Sequence, residues 1–293
     1  MPGVLIERLR YALVTPARDE APNLPRLAES LIAQTVTPDT WMIVDNGSTD
    51  GTAEVARVLA ASHSWVRVLE IPGEAAPQRG AAAVRAFTAG ITALEALPEI
   101  VVNVDADVTL EPDHFERLLA EFRSDPTLGI ASGTCWELED GSWRSQHVTR
   151  GHARGAVRAY RRDCLLDVLP LVESTAWDGI DELKAKTRGW MATNLALPIR
   201  HHRPLGRRDA RLALWTDAGE AAHFMGYRPS YLAVRAAYRA LRDPVALAMI
   251  YGYARSAVRR TPRYEDPAVR KLLRDEQALR RLPRRIREAL GRT

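Results

Sequence analysis

Two carboxylates separated by one residue, Asp105 and Asp107, follow the apolar run IVVNV at residues 100–104. In an extended chain residues two apart point to the same face, so the pair converges. Converging carboxylates repel and raise one another's pKa unless a cation sits between them. A hard divalent ion, Mn²⁺ or Mg²⁺, with a diphosphate completing its shell, answers that repulsion. The plainer reading of the same residues is two solvated acids leading into the turn before Glu111-Pro112.

Other acids recur just after apolar runs. Thr15-Pro16-Ala17-Arg18-Asp19-Glu20 follows the first run, and Val44-Asp45-Asn46-Gly47-Ser48-Thr49-Asp50-Gly51-Thr52 closes the second. Asn46-Gly47 is a tight-turn pair that Asp45 could cap, and Asp19 suits the entry to a helix. Further on, Trp177-Asp178-Gly179-Ile180-Asp181-Glu182-Leu183 runs to Gly189-Trp190. If this segment opens a helix, Asp178, Asp181 and Glu182 share a face; Asp178 as N-cap with Asp181 reaching back would be close to a capping box. His201 and His202 follow a strand-like stretch at residues 195–199.

The elements that must position these groups alternate. Strand-like runs at residues 11–15, 41–44, 66–71, 100–104 and 129–134 are interleaved with helical patterns. These are Leu24, Leu27 and Leu31 behind Asn23, then Val55, Val58 and Leu59, then the Ala-rich residues 80–97, then residues 112–123. Alternation of this kind implies an α/β fold with a mostly parallel central sheet flanked by helices, its ligands collecting outside the carboxyl ends of the strands. After Gly206 the pattern turns helical, at residues 227–242, 244–259 and 266–290. We therefore expect a catalytic domain over residues 1–205 and a helical, basic segment over 206–293.

Composition bounds the rest. Of 293 residues, 46% are hydrophobic and 27% charged, an ordinary globular mixture. No apolar run reaches the roughly 20 residues of a membrane span, and residues 1–10 do not read as a signal peptide. Two cysteines, Cys135 and Cys164, neither build a disulfide framework nor show metal-knuckle spacing, which suits a cytoplasmic setting. From Arg255 onward there are 13 Lys or Arg against 5 Asp or Glu. Such a tail is either a solvated surface or a peripheral contact with anionic lipid at the inner face of a membrane; no nucleic-acid-binding motif accompanies it.

The ordered set of the Pro16, Asp45 and Asp105-Ala106-Asp107 segments resembles the family 2 glycosyltransferases, which have the A-type nucleotide-sugar fold. The likeness covers residues 11–203. It implies a nucleoside-diphosphate-sugar donor, held through Pro16, Ala17, Arg18, Glu20, Asp45, Gly47, Arg79, Asp105, Ala106 and Asp107, with Asn46 standing where the family often has a second acid. It implies a metal ion on Asp107 and Asp105, joined by a histidine for which His202 is the candidate. The family's general base is an aspartate about a dozen residues before a Gly-aromatic pair. Asp178 matches that place and Asp181 is the alternative, with Trp177 replacing the usual glutamate. Trp136 and the Arg150-Gly151 region would line the side of a saccharide, lipid-linked or small-molecule acceptor. One base and no covalent intermediate imply an inverting hexosyl transfer, of the kind used in polysaccharide biosynthesis. Three rivals differ in chemistry. A nucleotidyltransferase would want a Gly-rich phosphate loop after the first strand, and Pro16–Glu20 has no glycine. A dehydrogenase would need Gly-x-Gly-x-x-Gly there. A non-catalytic nucleotide-sugar-binding protein could dispense with the acid at Asp178.

Overall fold

The computed structural model describes residues 9–73, 80–139, 141–145, 152–202 and 208–278. The first half contains β1 (Tyr11–Ala17), α1 (Leu24–Ile32), β2 (Thr40–Asn46), α2 (Thr52–Ser62), β3 (Val66–Ile71), α3 (Ala81–Thr92) and β4 (Ile100–Val104). The short β5 (Val108–Leu110) and α4 (His114–Ser124) follow, then β6 (Leu128–Glu139), β7 (Ser142–Ser145), β8 (Val157–Arg161) and α5 (Arg162–Val168). Next come α6 (Trp177–Thr187) and β9 (Met191–His201). The chain continues with α7 (Arg208–Met225), α8 (Pro229–Ala240), a 3-10 turn (Pro244–Leu247), α9 (Ala248–Val258) and α10 (Pro267–Glu276).

Among the described residues nine strands form one sheet, ordered β3-β2-β1-β4-β8-β6-β9-β5 with β7 on β6. From β3 to β4 every pairing is parallel. Beyond β4 the sheet is mixed: β8 runs antiparallel to both β4 and β6, whereas β6 and β9 are parallel. Chain order reverses between β1 and β4, which makes the carboxyl ends of these two strands the switch point where ligands lodge in such sheets.

Alternation along the strands divides the core. Tyr11 and Leu13 of β1 pack with Leu24, Leu27 and Leu31 of α1 and with Phe115, Leu118 and Phe122 of α4. Val14 turns to the opposite layer and meets Val84, Phe87 and Ile91 of α3 and Leu165 and Val168 of α5. Both faces of β1 and β4 are covered, which is why these strands read as unbroken apolar runs.

The helices after β9 build two further clusters. Ile180 and Leu183 of α6 pack with Met225 of α7 and with Val269 and Leu273 of α10. Leu232 and Ala236 of α8 pack with Met249 and Tyr253 of α9 and with Ala222 of α7. Helices beyond the expected division at residue 205 thus share a core with α6; the division itself, with residues 203–207, lies outside the described residues.

Candidate active site

The rim at the carboxyl ends of β1, β2 and β4 is stitched together by its own loops. Asp19, at a φ of 55°, accepts hydrogen bonds from the amides of Thr49 (2.7 Å) and Asp50 (3.4 Å) on the loop after β2. Asp50 returns the contact, its Oδ2 accepting from the Ala21 amide at 3.1 Å. Backbone donors favour the ionised carboxylate: the amide of Thr49 lowers the pKa of Asp19, and the hydroxyl and amide of Thr52 lower that of Asp50. Gly47 has a φ of +67°, and a Cβ there would lie 2.5 Å from the Cα of Gly73; only a glycine permits this approach of the two loops.

Asp45, buried at the end of β2, accepts from the Ser48 hydroxyl, whose oxygen in turn accepts from the Asp19 amide at 3.0 Å. Ala17 is Asp45's partner in the β1–β2 register, and Pro16 that of Val44. Glu20 is buried, takes 2.8 Å from the Asn23 amide group, and adds its charge to the field on Asp105. Asn23 therefore spends its side chain on Glu20 rather than on capping α1. Arg18 is half-buried beside these groups in the chain, and Arg79 lies outside the described residues.

Asp105 and Asp107 converge as expected, but in the turn between β4 and β5 rather than along an extended strand. Single ligand atoms of Asp105, Asp107 and His201 all lie within 4.8 Å of one another. The imidazole Nε2 of His201 is 3.2 Å from Asp107 Oδ1. Burial, then the neighbouring Asp107, push the Asp105 carboxyl up to about 7. The hydrogen bond to Asp107 raises the pKa of His201. Two oxygens and one imidazole nitrogen, with the acids repelling in the absence of a cation, are a donor set suited to Mn²⁺ or Mg²⁺. Ala106 is buried between the two acids.

The expected histidine, His202, is displaced by one residue. The His201 ring turns to Asp107, and because neighbouring side chains on an extended chain point to opposite faces, its successor turns away. The His202 ring instead meets Thr109 Oγ1 at 2.9 Å and stands edge-on to Trp143, while its amide donates to the Asp107 carbonyl.

Two groups at this rim escaped the sequence reading. Asn103 is buried on β4 and donates to the Gly155 carbonyl at 2.9 Å. Together with the 2.8 Å bond from the Asp105 amide to the Ala156 carbonyl, it fastens the acidic turn to the segment entering β8. Glu137, buried on β6, pairs in register with His201 and adds to the acidity around that ring. Asn103 sat in plain view two residues before Asp105; for Glu137 only the three-dimensional register reveals the contact.

The helix carrying the remaining acids is α6. Its N-cap is Ala176, so the capping-box reading of Asp178 and Asp181 does not hold. Asp181 is buried and gripped: Arg158, fully buried on β8, reaches both of its oxygens, and the Tyr160 hydroxyl donates to it. Burial pushes the Asp181 carboxyl up to about 6, with Arg158 and Tyr160 pulling the other way. Asp178, half-buried in the first turn, accepts from Arg158 through its backbone carbonyl at 2.8 Å, which leaves the carboxylate out of that bond. Glu182 sits at about 2, because bonds from His152 and Lys186 outweigh the upward push of burial. Trp177, with the Arg158 guanidinium 5.7 Å from its ring, joins Phe87, Asn103, Asp105 and Gly155 in lining a cavity of about 160 Å³. The opening turn of α6 and the acidic turn after β4 thus border one space. Trp136 on β6 pairs with Arg200, and Arg150-Gly151 lies outside the described residues.

Comparison with known proteins agrees with this fold. A mannosyltransferase from Pyrobaculum calidifontis, solved with GDP-Man and Mn²⁺, superposes with a TM-score of 0.56 at 18% identity, over 98% of this chain and 88% of that one. S. aureus TarS in complex with UDP-GlcNAc superposes with a TM-score of 0.54 at 15% identity, over 73% of this chain and 66% of that one. Among curated sequences, the chondroitin synthase of Pasteurella multocida is 32% identical over 123 residues, which is 42% of this chain but only 12% of that protein. The family model described as glycosyl transferase family 2 matches residues 12–233, a span that takes in the acidic rim, the cavity and α6. The chain belongs to glycosyl transferase family 2.

Proposed function

We propose that this glycosyltransferase moves a hexosyl group from a nucleoside-diphosphate sugar to an acceptor hydroxyl with inversion, Asp178 serving as general base. The observation that carries the reading is the convergence of Asp105, Asp107 and His201 beside a cavity that the first residue of α6 also lines. Pro16, Ala17, Arg18, Glu20, Asp45 and Gly47 form the nucleoside side of the donor site, with Arg79 added from the sequence. Asp107, Asp105 and His201 would hold the divalent cation, whose chemistry is to offset charge gathering on the departing diphosphate.

An alcohol is a weak nucleophile near neutral pH, and a positioned carboxylate takes its proton as the new bond forms. Asp178 suits this role because its carboxylate is not committed to Arg158, whereas Asp181 is. In this reading Asp181 positions α6 and does not take the proton. With a single base the anomeric carbon is displaced once, from the face opposite the diphosphate.

GDP-mannose and UDP-GlcNAc in the two solved relatives support a nucleotide-sugar donor. The chondroitin synthase likeness supports a saccharide acceptor, although this chain spans about an eighth of that protein. Among the described residues no helix is long and apolar enough to cross a membrane. A cytoplasmic enzyme, with a basic C-terminal segment resting on the inner face of a membrane beside a lipid-linked acceptor, is part of the same proposal.

A thermal-shift panel of UDP-, GDP- and dTDP-sugars with and without Mn²⁺ tests donor binding. Asp178→Asn is expected to keep the donor-induced shift and lose transfer by roughly 10²–10⁴-fold. Full activity in that variant would overturn the assignment of the base. Donor binding without any slow Mn²⁺-dependent hydrolysis would favour a non-catalytic nucleotide-sugar-binding protein.

A further inference from the structure

Helix α9 is apolar on both sides. Met249, Gly252 and Tyr253 face inward, Met249 and Tyr253 packing with α7 and α8. On the other side Leu247, Ile250, Tyr251, Ala254 and Val258, at spacings of three, one, three and four, are exposed. The exposure reaches 62% at Tyr251 and 84% at Val258. A surface helix ordinarily turns a polar face to water, and one that is apolar all round has an apolar neighbour on each side. Single exposed aliphatic residues need no account, but a contiguous stripe does.

The stripe continues beyond α9. Leu212 of α7, Pro244 and Val245 of the 3-10 turn, and Tyr251 line an open, largely apolar hollow of about 560 Å³. Leu241, just after α8, is 82% exposed. Exposed arginines stand at the ends of these apolar stretches: Arg211 before Leu212, Arg242 after Leu241, and Arg259 and Arg260 after Val258. Apolar side chains with an aromatic among them, bordered by guanidinium groups, are the composition of a helix lying in a lipid interface.

We propose that this face of α7, the 3-10 turn and α9 docks on a membrane surface bearing anionic headgroups. Leu247, Ile250, Tyr251 and Val258 enter the boundary between headgroups and acyl chains. Arg211, Arg242, Arg259 and Arg260 meet the phosphates. Charge selects this occupant over a second copy of the chain, because a two-fold contact of the face with itself sets arginine-rich borders against each other. A lipid surface supplies the apolar layer and the negative charge together. This docking rests on the membrane contact proposed above for the basic C-terminal segment; the surface is separate from the donor site, so it can fail this test while the transfer chemistry stands.

The test is co-sedimentation of the full chain with vesicles, without donor or metal. One set is phosphatidylcholine alone, the other a mixture with one third phosphatidylglycerol. The wild-type chain is expected to pellet with the mixed vesicles, to stay in solution with the neutral ones, and to release as salt rises. The double variant Ile250→Asp/Tyr251→Asp and the double variant Arg259→Glu/Arg260→Glu are each expected to weaken partitioning by about tenfold or more. The substituted residues are exposed, so thermal melting and donor hydrolysis in solution should match the wild type. Wild-type protein left in solution with mixed vesicles would overturn the proposal, as would aspartate variants that pellet like the wild type. Self-association that Ile250→Asp abolishes, without vesicle binding, would give the face to a second copy instead.

Discussion

Acids are held in two different ways in the two halves of this molecule. Along the rim of β1, β2 and β4, Asp19 and Asp50 are held by backbone amides, and Asp45 by a serine hydroxyl. On α6, Asp181 and Glu182 are held by side chains that include a cation in each case, Arg158 with the Tyr160 hydroxyl for one, Lys186 with the His152 ring for the other. Neutral donors from neighbouring loops fix a carboxylate and still leave its charge unneutralised for a ligand. A buried guanidinium neutralises its partner and locks it. The rim is accordingly the half suited to the proposed cation and diphosphate, and the gripped pair on α6 anchors the half-buried turn beside it.

Substitutions that separate the two halves should differ in what they damage. The largest expected effect is Asp107→Ala, which removes a rim acid from the cation cluster. Mn²⁺-dependent donor turnover should fall roughly a thousandfold with little change in thermal stability. Next is Asp181→Asn, which leaves Arg158 buried without its counter-charge. Urea denaturation should show a loss of about 3–5 kcal/mol, against about 1 kcal/mol or less for Asp178→Asn on the same helix. Similar losses at both positions would erase the distinction drawn between them.

Glu182 sharpens the contrast through pH. Its folded pKa of about 2 lies below its ordinary 4.5, so its stabilising contribution is complete above the ordinary value and disappears as pH falls from there toward 2. The loss should be on the order of a few kcal/mol, somewhat reduced because His152 and Lys186 are partly exposed. Denaturation curves across that window should be steeper in pH for the wild type than for Glu182→Gln. The smallest effect separates the adjacent histidines. His201→Ala should weaken Mn²⁺ binding by about 10–100-fold in calorimetry, and His202→Ala should leave it near wild type.

The same division explains what the sequence could tell. Strands β3 and β4 match their expected ranges residue for residue; β4 does so because a strand covered on both faces is a short apolar run, whereas β3 is an edge strand whose Arg67 and Glu70 are exposed. The convergence of Asp105 and Asp107 was expected from the two-residue repeat of an extended chain, yet it is the turn between β4 and β5 that brings the two carboxylates together. Strand β8 and helix α5 were not legible. VRAYR offers two arginines in five residues and reads as a polar surface, until Asp181 from elsewhere in space, with Tyr160 on the same strand, makes Arg158 an interior residue. His201 and His202 read alike as neighbours, and what separates them is which ring meets Asp107 and which meets Thr109 in the folded chain. Periodicity reports which way a chain faces. It does not report which partner will neutralise a charge that faces inward.

The reversal of direction at β8 has a consequence for how such a site can diversify. Parallel strands deliver only their outgoing loops to one edge of a sheet. Because β8 points the opposite way from β4, the stretch that leads into it also arrives at that edge, where Gly155 and Ala156 take hydrogen bonds from Asn103 and Asp105. Chain segments of both polarities therefore share one border. The approach to β8 can lengthen or change composition, and so alter what is admitted opposite the proposed donor site, while the strand ends assigned to the nucleotide in that proposal keep their spacing.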